Sequence, residues 1–183
     1  TILADEGYRR LTFTHISEVA GLSRGLVNYH FGSKTALVEG VIDSIRQHYH
    51  SARQDSQNGH QAVRGMAETY LERFRSDPRP AKVMLVLGTD SIGEEGPITA
   101  VVRETYQSFR DDLRGYIKQG VADGSIRPEI DETAHATVIE AVLRGVVLQY
   151  LVDPDHVDLE AVTAAVLETV DSLGPAKGKR ARR

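Results

Sequence analysis

Apolar residues recur along this 183-residue chain at three- and four-residue spacing, and no stretch alternates strictly between apolar and polar. That pattern predicts helices throughout and an all-α fold. Ile2-Leu3-Ala4 reads as the end of a first helix. Ile16, Val19 and Ala20 then form one apolar face of a short helix. Gly21 ends it, because glycine enters the left-handed conformation without steric cost. Ser23 caps the next helix, its hydroxyl accepting an orphan backbone N–H. Leu26 and Val27 are expected to pack inward, leaving Arg24, Gly25, Asn28 and Tyr29 on an open face. Two short helices joined so tightly make a helix-turn-helix, whose second helix lies in the DNA major groove.

Longer helices follow. One runs from Ser33 through Leu37, Val38, Val41, Ile42 and Ile45 to about residue 50, and 51–59 is polar and expected to fray. A helix over 61–75 places Val63, Met66, Ala67, Tyr70, Leu71 and Phe74 on one side. Asp77-Pro78-Arg79-Pro80 breaks it, and 81–87 reads as a short buried helix ended by Gly88. A glycine-rich loop at 90–97 leads into a long helix over 97–123, terminated by Gly124. Asp131 caps a helix to about residue 152, and Asp158 caps the last, to about residue 173. The expected division is a DNA-binding domain at 1–48, a helical regulatory and dimerisation domain at 49–174, and a disordered basic tail at 175–183. The first residue is Thr1, so a preceding segment with a basic arm is expected.

Charge sharpens this picture. Residues 1–50 hold five Lys/Arg and five Asp/Glu, residues 51–173 hold 12 against 21, and the last ten hold five basic residues and no acid. An acidic body is repelled by a polyanion, so DNA is expected to dock on the N-terminal face. With no cysteine, the chain has no disulfide, thiol nucleophile or zinc finger. No apolar run approaches the ~20 residues expected of a membrane span, and a cytoplasmic location is expected. Neither cofactor nor metal is expected, since no His-Glu-x-x-His, Walker loop or nucleophile elbow occurs. His48-x-His50 lacks i, i+4 spacing. An enzyme is not predicted.

Gly7-Tyr8, Leu11-Thr12, Ile16-Ser17, Ala20-Gly21-Leu22-Ser23-Arg24-Gly25, Asn28-Tyr29-His30-Phe31 and Ser33-Lys34 together resemble the hallmark of the TetR/AcrR family of bacterial transcriptional regulators. Leu11 stands where a Thr is usual, Ser17 where a small Ala is usual, and Asn28 where a phosphate-contacting Tyr is usual. The resemblance implies DNA contacts from Thr12, Thr14, Ser23, Arg24, Gly25, Asn28, Tyr29, His30 and Lys34. Arg24 is the candidate for a guanine edge, with phosphate contact as its alternative. Either Asn28 or Tyr29 touches the backbone, and Asn28 can instead read adenine. Lys34, after Gly32-Ser33, reads as a phosphate clamp beside helix N-terminal amides.

Residues 138, 139, 142, 143, 146, 147, 150 and 151 cover more than one stripe of their helix, which therefore needs two packing partners. The expected dimer interface is Val138, Val142, Gly145, Val146, Gln149, Val162, Val166 and Val170, in a four-helix bundle about a twofold axis. The resemblance implies the same homodimer, binding a palindromic double-stranded DNA operator. It also implies an inducer pocket in the body, for which Met66, Tyr70, Phe74, Met84, Leu87, Tyr106 and Phe109 are the candidate lining. The reading is a repressor released by a small molecule. Its alternative is a regulator of the same fold without an inducer, constitutive or controlled by a protein partner.

Overall fold

A computed structural model describes residues 2–50 and 56–175, with His48, Tyr49 and His50 described by backbone alone. The expectations placed on 51–55 and on the basic tail beyond Pro175 lie outside the described residues, as do the side chains of His48 and His50. Among the described residues there are nine helices and no strand. They are α1 (Ile2–Arg10), α2 (Phe13–Ala20), α3 (Arg24–Phe31), α4 (Lys34–His50), α5 (Gly59–Ser76), α6 (Arg79–Asp90), α7 (Pro97–Asp123), α8 (Glu132–Val152) and α9 (Leu159–Asp171). The all-α reading holds.

Side-chain caps set five of the helix starts. The Thr12 hydroxyl accepts from the His15 N–H ahead of α2, and Gly21 closes that helix at φ 66, ψ 26. Ser23 accepts from the Leu26 N–H at the start of α3, and the Ser33 hydroxyl accepts from the Ala36 N–H at the start of α4. Asp131 takes the Thr133 and Ala134 N–H groups of α8, and Asp158 those of Glu160 and Ala161 in α9. Each satisfies donors that have no partner within their own helix.

Two helices differ from expectation in their bounds. Helix α6 begins at Arg79 and runs to Asp90, beyond the expected 81–87 on both sides. Pro80 is tolerated because the first turn of a helix needs no N–H from it. Gly88 does not end the helix; a Cβ there would overlap the Tyr106 hydroxyl, which donates to the Met84 carbonyl at 2.8 Å. Helix α1 does not end at Ala4 as expected but runs to Arg10, its helical path broken at Gly7 with φ 78 and ψ 175.

The chain separates into two compact units, Thr1–Ala52 with Arg73–Gln107, and Arg53–Glu72 with Ser108–Arg183. The division crosses the chain more than once. In the first unit, Leu3, Ala4, Leu11, Leu37, Val38, Ile42 and Ile45 share one core with Val83, Met84 and Leu87 of α6 and Ile98 and Val102 of α7. Helix α1 packs on α6. Lys82 Nζ lies 3.1 Å from Asp5, and the Tyr8 N–H donates to Asp90 at 3.3 Å. The DNA-binding head is thus completed by helices far along the chain.

The second unit buries Val63, Ala67, Leu71, Leu113, Ile117, Leu143 and Val147. A Cβ on Gly59 would overlap the backbone of Gly120, so α5 and α7 meet at glycine. The Gly59 N–H donates to Asp123 at 2.9 Å, and a hydrogen bond from Ser125 with that from Gly59 holds the Asp123 carboxyl below its ordinary value. In α8, Glu140 is 4% exposed, with Arg110 Nη1 and Arg144 Nη2 each 2.8 Å from its oxygens. Contrary to expectation, α8 is long and apolar enough to cross a membrane by length and composition alone. It nonetheless carries this buried ion-paired carboxylate, and its apolar side chains include core positions such as Leu143 and Val147.

Candidate nucleic-acid interface

Helix α2 packs on α3, and α3 on α4. Val27 is the one buried side chain of α3, and α2 buries none, although Phe13, Ile16 and Phe31 lie partly buried against the core. Arg24, Gly25, Asn28 and Tyr29 are exposed, as their sequence pattern required, and His30 is exposed too. Tyr29 stands out furthest, at 89% exposure. A Cβ on Gly25 would meet nothing within 4 Å, so nothing inside this unit demands glycine there.

Three expectations fail at this surface. Val19 is 65% exposed, Ala20 is also exposed, and Leu26 is 51% exposed. Helical periodicity places these residues correctly on their helices, but two eight-residue helices crossing at a tight turn have only one small shared inner face. Val27 and partly buried Ile16 fill it. Apolar spacing alone overstates burial in so short a motif.

Basic and polar groups surround the open face. Lys34 Nζ lies 3.7 Å above the centre of the Tyr8 ring. This cation–π contact fixes the ammonium at the N-terminus of α4. Burial pulls the Lys34 ammonium below its ordinary pKa and pushes the Tyr8 hydroxyl above its own. Thr12 and Ser23 each accept one backbone N–H through a hydroxyl whose own proton stays free to donate, and Thr14 is exposed. The His30 ring meets Phe31 edge-on, with centres 4.7 Å apart. His15 Nε2 lies 2.8 Å from Glu6, and Nδ1 is 3.8 Å from Glu18. The Glu6 hydrogen bond raises the His15 pKa.

The arrangement can seat a helix in a major groove with hydroxyls, amides and one held cation against phosphate. Sequence comparison agrees with it. Residues 1–41 match the family profile described as bacterial regulatory proteins of the tetR family, and residues 59–175 match that of the BetI-type transcriptional repressor, C-terminal. The chain belongs to the TetR family. It is 29% identical over 167 residues to the HTH-type transcriptional regulator TtgR of Pseudomonas putida (strain DOT-T1E), covering 84% of this chain and 76% of that protein. The fold is shared with a TetR transcriptional regulator from Chloroflexus aurantiacus J-10-FL, with a TM-score of 0.81, 19% identity and coverage of 94% and 90%. It is also shared with the regulator FadR from Bacillus subtilis in complex with stearoyl-CoA, with a TM-score of 0.79, 18% identity and coverage of 93% and 92%. As a TetR-family member the protein is a DNA-binding transcriptional repressor, not an enzyme.

Beyond the head, the candidate positions of this TetR-family chain are distributed unevenly. Phe74, Met84, Leu87 and Tyr106 belong to the first unit; the first three are buried, and Tyr106 is half-buried with its hydroxyl on Met84. Met66, Tyr70 and Phe109 belong to the second, where the Tyr70 and Phe109 rings meet edge-on at 5.8 Å. Of the nominated interface, Val146, Val166 and Val170 are buried within the chain itself. Val138 and Gln149 are exposed, and Val142, Gly145 and Val162 are half-buried. Leu148 and Val152, which were not nominated, extend the exposed apolar set on α8. Glu140 with its two arginines was missed as well. Its i, i+4 spacing to Arg144 was readable; Arg110, thirty positions earlier, was not. Among the described residues no group of three or more His, Asp or Glu could hold a metal ion.

Proposed function

We propose that the protein is a homodimeric repressor that holds a palindromic DNA operator and is released from it by a small-molecule inducer. The observation that carries this reading is the open face of α3, with a capped N-terminus, an exposed Arg24 and Tyr29, and Lys34 held over Tyr8. In the proposed complex Thr12, Thr14, Ser23, Tyr29, His30 and Lys34 contact the backbone, while Arg24, Gly25 and Asn28 face the groove. Two such heads about 34–36 Å apart would enter successive major grooves.

The exposed apolar positions of α8 support a twofold contact through Val138, Val142, Gly145 and Gln149, with Val162 of α9 beside them. A Cβ on Gly145 would meet nothing within 4 Å, leaving room for a second backbone. For release, α6 is the mechanical element. It shares a core with α1 and holds it through Asp90 and Lys82, so a ligand that displaces Met84, Leu87 or Tyr106 would move α1 and the head with it. The inducer must then bind the displaced state more tightly than the DNA-competent one. The apolar and aromatic character of Phe74, Met84, Leu87 and Tyr106 suits an apolar ligand. A fold neighbour's complex with stearoyl-CoA points to the same class.

The test is binding of the full chain to DNA flanking its own gene, against scrambled DNA, across a salt series. Preference for the native sequence by about 10³-fold supports the reading. Lys34→Ala should weaken binding to every sequence and lower the salt slope by about 1. Equal binding to both DNAs, steep in salt, would overturn operator recognition. Specific binding that no apolar ligand relieves would leave a repressor without an inducer.

A further inference from the structure

The centre of the reading face of α3 is apolar. At 3.6 residues per turn, Val27 and Phe31 mark the inward direction, and Tyr29 lies nearly opposite. Gly25 and Leu26 flank Tyr29 within about 60°, Asn28 and His30 lie about 100° round at the sides, and Arg24, the first residue of the helix, lies further still. Tyr29 and Leu26 are three positions apart and so are surface neighbours. Leu26 keeps half its surface in water, and the space over Gly25 is empty. Neither is explained by packing inside the unit.

What covers this patch follows from its surroundings. From Val19 to Val38 the chain holds no Asp or Glu, but it holds Arg24 and Lys34. An apolar centre in an acid-free, basic surround suits a polyanion that itself presents an apolar group. In the major groove that group is the C5 methyl of thymine. We infer that Leu26, beside the gap left by Gly25, reads a thymine methyl in each half-site. This rests on the operator-binding reading and names the base that the head selects.

The experiment selects duplexes from a random pool with the full chain, then replaces each thymine of the winning duplex by deoxyuridine. That change removes only the methyl and leaves pairing and the O4 acceptor intact. At one or two positions per half-site the wild type should lose about fourfold in affinity, the equivalent of one buried carbon. Leu26→Ala should bind thymine and uracil duplexes equally at those positions while keeping its penalty elsewhere. Leu26→Asn should do the same, and an unchanged melting temperature for both shows that the head is folded. A uracil penalty that persists in Leu26→Ala, or no thymine position that matters to the wild type, would overturn the inference. A pool without any enriched duplex would remove the operator reading, and this inference with it.

Discussion

Helices α3 and α8 carry similar apolar spacing and use it in opposite ways. In α8, Ala136, Ile139, Leu143, Val146 and Val147 are buried, and even a carboxylate, Glu140, is taken inside with its partners. In α3 a single residue, Val27, is buried, and Leu26 faces water. The body helix is held by what it buries. The reading helix is held by its ends, Ser23 at one and Gly32 at the other, and by the helices behind it. A surface that must present side chains to a groove cannot also spend them on a core, so caps carry the local order there.

The largest effect should come from breaking α8 where its burial is most demanding. Glu140→Ala leaves Arg110 and Arg144 without the carboxylate they share, and loss of one partner of a buried ion pair costs about 3–5 kcal/mol. Urea unfolding should show that loss through a lower midpoint with an unchanged slope. A change below about 1 kcal/mol would mean that solvent reaches this site freely, and the contrast with α3 would weaken.

Next in size are two cap removals, one of a hydroxyl that accepts a single N–H and one of a carboxylate that accepts two. Ser23→Ala and Asp158→Ala should each cost about 1 kcal/mol, since each deletes the acceptor of helix N-terminal N–H groups. Their consequences should differ. Helix α9 also buries Val166, Leu167 and Val170 and should stay formed. Helix α3 has only Val27 and the partly buried Phe31 to fall back on, so hydrogen exchange should accelerate across 24–31 in Ser23→Ala and stay local to the first turn in Asp158→Ala. Equal, local exchange in both variants would show that the helices behind α3 hold it without its cap.

These contrasts also mark what was legible in the sequence. Every helix after the first was visible in apolar spacing and cap residues, because both act within a few positions of chain. The caps and the stop of the recognition motif were legible for the same reason: Thr12, Gly21, Ser23 and Ser33 do locally what their side chains and φ preferences dictate. What could not be read depends on distant segments. Gly88 looked like a helix stop until Tyr106 packed against it, and the head looked self-contained until α6 and α7 entered its core. Leu26 illustrates the converse. Spacing assigned it inward, and only the crossing of α2 over α3 decides that one apolar neighbour is enough.

The smallest effect, and the finest test of the head, is its proton. His15 on α2 lies against Glu6 of α1 and near Glu18 of its own helix, and the hydrogen bond to Glu6 raises its pKa. A raised pKa in the folded state means that folding favours the protonated ring. That stabilisation is complete below the unfolded value of about 6.5 and is lost as pH rises through the higher folded value. Glu6 must stay ionised for the pair to form, which sets the lower edge of the window near pH 5. Comparing wild type with His15→Gln, the melting temperatures should differ most near pH 5.5 and converge by about pH 8.5. Parallel curves across that range would show that α1 and α2 are joined by packing alone, with the imidazole a bystander.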